Sequence, residues 1–267
     1  GEQSAARVRC DFWRGADGAT DMYQGISDCN IFLENIHKVP DMTQTEKNRW
    51  IAEVKFLKAY YHYWMIRMYG PIPIKDTNVP VNADSEKVRP HRNTLDECFE
   101  YVITLMDEII ESKALPLSIE NQAQELGRIS HGIVMAIKAE VLVTAASPLF
   151  NGNLDYKGYT DNRGIEIFNP EKTEDQKMQR WVDAEKACEE AIAFLKEQGH
   201  DLFYFTDTNL KVSDDTRLKM NIRGAFTENW NKEIIWGNPN LISKSVDIAQ
   251  IQSQAIPRGL KVGSEVN

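Results

Sequence analysis

Trp13 sits in the segment DFWRGADG (residues 11–18), ahead of the first helical pattern and among Gly and Asp residues. An indole in such a loop offers the apolar face of a sugar ring a flat platform, while the Arg14 guanidinium and the Asp17 carboxylate hydrogen-bond its hydroxyls. The alternative for Trp13 is packing, with the loop folded back onto the first helical hairpin. Asn238, Asn240 and Arg258 fall in an aperiodic stretch and supply amide and guanidinium donors of the same kind. Trp13, Arg14, Asp17, Asn238, Asn240 and Arg258 are the candidate ligand-binding set. Trp236, after two isoleucines, reads instead as a packed strand residue.

Catalytic chemistry has little support. G-x-S-x-G, P-loop, G-x-G-x-x-G and zinc-deaminase patterns do not occur. The histidines lack H-E-x-x-H spacing, and Cys10, Cys29, Cys98 and Cys188 contain no C-x-x-C pair, so neither a metal site nor a cofactor is expected. A calcium loop over Asn151, Asn153 and Asp155 fails because Tyr156 stands where an EF-hand needs Gly. Two carboxylates at glycosidase spacing would have to be brought together by the fold, and most of the 40 acidic residues belong on solvated helix faces.

The chain that must position these groups has 267 residues, enough to bury a sizeable core. Its 27% charged and 42% apolar residues are ordinary globular values, which argues against global disorder. A net charge of −9 disfavours nucleic-acid partners, which reward a basic face. The longest apolar candidate, residues 133–150, carries Lys138 and Glu140 and breaks at Pro148, so no membrane span is expected. The N-terminus opens without a basic and apolar signal sequence.

Helical period dominates. Met22, Ile26, Cys29, Leu33 and Ile36 step by 4, 3, 4, 3, and Trp50, Val54, Leu57, Tyr61, Trp64 and Met68 continue the same rule. So do Leu95, Phe99, Val102, Met106 and Ile109, and again Trp181, Ala184, Cys188, Ala191 and Leu195. Each set puts one apolar stripe on a helix, with Lys55, Lys58 and Arg67 turned elsewhere. Residues 129–146 are apolar almost all round and read as the most buried helix. Thr43-x-x-Glu46 and Thr94-x-x-Glu97 fit capping boxes. The expected helices are 19–38, 44–69, 94–112, 128–147 and 181–198; the first four pair as hairpins and the last has no clear partner. Residues 70–90, with four prolines, and 151–180 are long connections of the length that usually carries function. Residues 201–267 read as mostly irregular.

Residues 53–59 (EVKFLKA) and 133–139 (IVMAIKA) echo each other, and small Ala59 and Ala139 let neighbouring helices approach. This is the logic of a helical-hairpin array, with loops expanded well beyond a strict repeat. The expected fold is mainly α, tetratricopeptide-like hairpins over residues 19–200 followed by a loop-rich portion.

Specific segments carry a family resemblance. Residues 53–74 (EVKFLKAYYHYWMIRMYGPIPI) and 127–152 (GRISHGIVMAIKAEVLVTAASPLFNG) resemble the two signature helices of the SusD/RagB family of nutrient-binding lipoproteins. Tyr23-Gln24-Gly25-Ile26 with Cys29-Asn30 is similar to that family's first helix, and residues 181–191 and 231–235 to later landmarks, in the same order. The resemblance covers the front part of such a protein, so the chain reads as an incomplete single SusD-like domain over residues 1–267, with 201–267 beginning the ligand-binding portion. Cys10 follows Ala6-Arg7-Val8-Arg9, which is not a lipobox, so the family's lipid anchor has no counterpart.

The resemblance implies a Bacteroidetes-type cell-surface protein, lipid-anchored to the outer membrane. It would cap a SusC-like TonB-dependent transporter and deliver a glycan or a peptide to it without catalysis. A helical-repeat adaptor for a protein partner is the alternative, and a helical glycoside hydrolase a third.

Overall fold

The computed structural model describes residues 11–15, 21–80, 82–84, 88–169, 171–206 and 211–238. The chain divides at Trp236 into two units, and of the second only Gly237 and Asn238 are described. Among the described residues the first unit is helical and has no strand, as the sequence implied. Helices α1 (Met22–Asn35), α2 (Gln44–Tyr69) and α3 (Leu95–Ser112) are followed by the single turn α4 (Gln122–Glu125). Then come α5 (His131–Ala146), α6 (Glu174–Glu197) and α7 (Asp214–Thr227).

Both expected capping boxes form, each with the Thr side chain accepting from the third-residue amide and the Glu side chain reaching back. A third, Thr173 with Gln176, starts α6 well before residue 181. The 151–180 connection is correspondingly shorter than expected. Helix α7 lies within the portion read as mostly irregular. Ser213 caps it, and Asp214 and Asp215 occupy its positively polarised first turn.

The helices stack in chain order: α1 on α2, α2 on α3, α3 on α5 and α5 on α6. Helix α6, for which the sequence offered no partner, therefore packs on α5. Small residues make that seam. Ala139 meets Ala187 and Ala191, and a Cβ on Gly132 would come within 2.8 Å of Leu195 Cδ2.

The stripe read for α3 is buried at all five positions. That for α2 needs correction. Its fully buried apolar positions are Ala52, Phe56, Ala59, Tyr63, Met65 and Ile66, whereas Leu57, Tyr61 and Trp64 are half-buried. Trp50 and Met68 are 41% and 48% exposed. Because α2 is sandwiched between α1 and α3, burial extends over more than one face, and the two alanines let its neighbours close in. Trp181, 44% exposed, likewise lies off the buried face of α6, which runs through Ala184, Ala187, Ala191 and Leu195. Helix α5 buries Ile133, Val134 and Val141 but leaves Val143 exposed.

The signature segments meet in space. Gly127 turns the chain at φ 84°, and its carbonyl accepts a hydrogen bond from Trp236 Nε1 at 3.2 Å. Trp236 packs edge-on against Phe56 and Tyr60. It is packed, as expected, but in irregular backbone and not in a strand. Cys29 and Cys98 are buried free thiols and Cys188 is partly buried; Cys10 lies outside the described residues.

Candidate ligand-binding cleft

Helix α2 ends at Gly70, whose φ of 69° favours glycine, and Pro71 begins an extended strap running to Pro80. Prolines at 71, 73 and 80 withhold amide donors, so the strap cannot join a ladder. Backbone groups packed against helices still need partners, and side chains provide them. Tyr23 Oη donates to Pro73 O at 3.0 Å, and Asn93 Oδ1 accepts from Ile74 N at 3.0 Å. His62 Nε2 accepts from Lys75 N at 3.2 Å, while Asn30 Nδ2 donates to Lys75 O at 3.2 Å. Lys58 Nζ donates to Asp76 O at 2.5 Å and to its carboxylate Oδ1 at 2.9 Å. These roles account for three buried polar residues, Asn30, Lys58 and His62, among apolar helix faces. Lys58, expected to turn away from the core, is only 4% exposed.

The electrostatics follow from that burial. Desolvation pushes the His62 imidazole down to about 4, against a weaker upward pull from its bond to Lys58 O. Its Nδ1 faces the Lys58 carbonyl at 2.8 Å and its Nε2 takes an amide proton, so the neutral ring carries its hydrogen on Nδ1. At Asp76, partial desolvation pulls upward, but hydrogen bonds from Lys58 and Tyr101 together with the Lys58 charge outweigh it. The carboxyl is held below its ordinary range. Burial, then the neighbouring Asp76, raises the Tyr101 phenol.

Between the strap and the residue 11–15 turn lies a cleft of about 690 Å³. Trp13, Tyr23, Ile74, Lys75, Asp76 and Asn78 are among its lining. Trp13 combines both roles weighed for it. Its ring stands edge-on to Tyr23 at 5.0 Å and to Tyr69 at 5.5 Å, with the Arg92 guanidinium 5.7 Å away, and it also forms part of the cleft wall. The Asp11 carboxylate holds the turn by accepting from the amides of Trp13 and Arg14 at 2.9 and 3.2 Å. Arg14 is exposed and is not part of the cleft lining. Asn238 is exposed in the second unit; Asp17, Asn240 and Arg258 lie outside the described residues.

Of the three expected residues that are described, Trp13 is thus the one that lines this cleft. The strap residues Lys75 to Asn78 were not singled out by sequence, although the Pro-rich stretch containing them was. Among the described residues no cluster of three His, Cys, Asp or Glu side chains could hold a metal ion, and no helix is long and apolar enough to cross a membrane.

The helical array thus carries a strap pinned by side chains and, beside it, a cleft with apolar and polar walls. Comparison with known proteins finds a likeness over part of the chain. The SusD-like_3 family model, described as starch-binding associating with outer membrane, matches residues 17–139. The solved structure of BT4246 superposes with a TM-score of 0.71 at 29% identity, over 89% of this chain and 42% of that one. Its selenomethionine form gives 0.67 at 28%, over 88% and 41%. A SusD superfamily protein from Parabacteroides distasonis aligns at 25% identity with a TM-score of 0.46, over 70% of this chain and 32% of that one. The chain is therefore similar to SusD-like proteins in sequence and in fold, and the resemblance read from its signature helices is borne out. It spans less than half the length of the structures it matches. No curated protein matches it.

Proposed function

We propose that the protein is a non-catalytic, surface-exposed nutrient-binding protein, that its nutrient is a glycan, and that it hands this ligand to a SusC-like TonB-dependent transporter. The observation carrying this reading is the match of residues 17–139 to a family described as starch-binding and associated with the outer membrane. The cleft beside Trp13 supports it, since a pocket of several hundred Å³ with apolar walls and a few oriented polar groups is the usual form of a small-ligand site. Attachment to the outer membrane would be through a lipid anchor in the full-length protein. Arg14 and Asp17 beside Trp13, and Asn238, Asn240 and Arg258 in the tail, are proposed as additional hydrogen-bonding groups.

A glycan array followed by affinity-gel electrophoresis of the protein tests the reading, with product analysis on every glycan retained. Retention of an oligosaccharide that stays intact supports it. Failure to retain any glycan overturns it, and reproducible cleavage replaces it with the hydrolase alternative. Trp13→Ala is expected to weaken retention, with Trp13→Phe intermediate, because the phenyl ring keeps part of the apolar wall.

A further inference from the structure

Asp76 both pairs with the buried Lys58 and faces the cleft. Its side chain is 64% exposed, yet its carboxylate is oriented from beneath by two donors, Lys58 Nζ at 2.9 Å and Tyr101 Oη at 2.8 Å. Lys58 reaches it from the buried face of α2, and the same ammonium fixes the backbone carbonyl of Asp76. The flanking amide and carbonyl of Lys75 are held by His62 and Asn30. A surface carboxylate ordinarily samples many rotamers; this one has been ordered by folding, before any ligand arrives.

We propose that the cleft is a subsite for one uncharged, polyhydroxylated ring, with Asp76 accepting hydrogen bonds from adjacent hydroxyls and the wall of Trp13, Tyr23 and Ile74 covering the ring's C–H face. This rests on the glycan-binding reading above and narrows it to a ligand chemistry and a residue. An ionised carboxylate has about four acceptor sites and no donor, so it is matched to a pair of hydroxyl donors. Oδ1 already receives two hydrogen bonds, and the remaining capacity of the carboxylate is available to a ligand. The pairing of Asp76 with Lys58 disfavours a cation. Among the described residues Lys75 and Asp76 are the only charged ones lining the cleft, and Lys58 pairs with Asp76 from below. A cationic peptide would find its carboxylate already paired. An anion would meet Asp76 itself. The apolar share of the wall, which includes Pro73, Val79 and Pro90, suits the face of a sugar ring better than a peptide backbone with unmet amide groups.

Calorimetry with the neutral oligosaccharides retained on the array tests the assignment, with trilysine and a tetragalacturonate as charged probes. Asp76→Asn keeps a carbonyl for Lys58 and Tyr101 but removes the counter-charge of the buried Lys58 ammonium, so its melting temperature is expected to fall somewhat, and affinity per folded molecule to fall about tenfold. Lys58→Met is expected to lower affinity through loss of orientation. Hydrogen exchange of wild-type protein requires no variant: the bound oligosaccharide is expected to slow the amides of residues 74–78. Undiminished affinity in folded Asp76→Asn, or no protection of the strap, overturns the subsite while leaving glycan binding intact. Binding of either charged probe in the cleft overturns the ligand class. If no neutral glycan binds, the function proposed above fails, and the subsite with it.

Discussion

Glu53 of α2 and Arg128, 75 residues further along the chain, meet through a bidentate pair, Nε to Oε1 at 3.2 Å and Nη2 to Oε2 at 3.0 Å. Arg49, one turn before Glu53, adds a third contact at 3.2 Å, and Glu125 engages both arginines. The Arg128 guanidinium lies 4.8 Å from the Trp50 ring. The pair therefore fastens α2 to the turn before α5 at a nearly dehydrated carboxylate. Glu53→Ala leaves Arg49 and Arg128 sharing the single carboxylate of Glu125 and is expected to lower the unfolding free energy by about 2 kcal/mol. Urea denaturation checks this, and the double variant Glu53→Met, Arg128→Met should recover part of the loss. A loss under about 0.5 kcal/mol for Glu53→Ala would place the pair among ordinary surface ion pairs.

The two faces of α2 make a second, sharper comparison. Phe56 is fully buried and Met68 is half exposed, though sequence period favoured Met68. Phe56→Ala is expected to cost about 3–5 kcal/mol through the cavity it opens, with Met68→Ala within about 0.5 kcal/mol of wild type. Equal costs would mean that the buried face has been misassigned.

Acid should loosen the strap. His62 binds a proton in the folded protein only near pH 4, whereas the exposed imidazole of the unfolded chain does so at its ordinary value of 6.5. Between those values the unfolded state holds more protons, so stability is full above about pH 6.5 and falls as the pH is lowered toward 4. The contribution is up to about 3 kcal/mol. Protonation also removes the acceptor for Lys75 N. Urea midpoints measured across this window should slope less in His62→Gln than in wild type, and parallel slopes would assign the acid sensitivity elsewhere.

Gly224 should behave against helix propensity. It is the buried position of α7, and a Cβ there would lie 2.1 Å from Phe203 Cε1. Gly224→Ala ordinarily stabilises a helix by about 1 kcal/mol. Here the aromatic ring must move, and the expected net effect is a destabilisation of about 1–3 kcal/mol. Limited proteolysis should cut residues 201–206 faster in the variant. Unchanged cleavage would mean that Phe203 does not hold this segment to α7.

What sequence revealed depended on how many sides of an element are covered. In α3 a single stripe and its capping box agreed, and the buried residues coincide with the reading. In α2, packed on both sides, large side chains drew the reading to Leu57, Tyr61 and Trp64, while the deepest positions include the small Ala52 and Ala59. Helix α7 has apolar residues at Leu218, Ile222 and Phe226, one turn apart, but all are exposed, with Phe226 at 89%. Among the described residues no core partner covers that face, and the surrounding polar residues diluted its period.

Residue by residue, the cleft was legible only at Trp13, because an aromatic in a Gly- and Asp-rich loop is a local signal. The strap was visible only as a Pro-rich stretch. Asp76 acquires its orientation from Lys58 and Tyr101 on two different helices. Asn30, Lys58 and His62 are unremarkable as a sequence list. Their common task arises only when α1 and α2 lie beneath the same strap.

The chain-order stacking of α1, α2, α3, α5 and α6 has a kinetic consequence. Each interface joins segments that are close in sequence, so little loop entropy opposes its formation, and the stack can grow from its N-terminal end as the polypeptide emerges during synthesis. Trp236 breaks that order, since it must return to Phe56 and Tyr60 at the beginning of the stack. The nascent protein therefore carries Phe56 and Tyr60, in the middle of α2, without their Trp236 contact until nearly the whole first unit has been made.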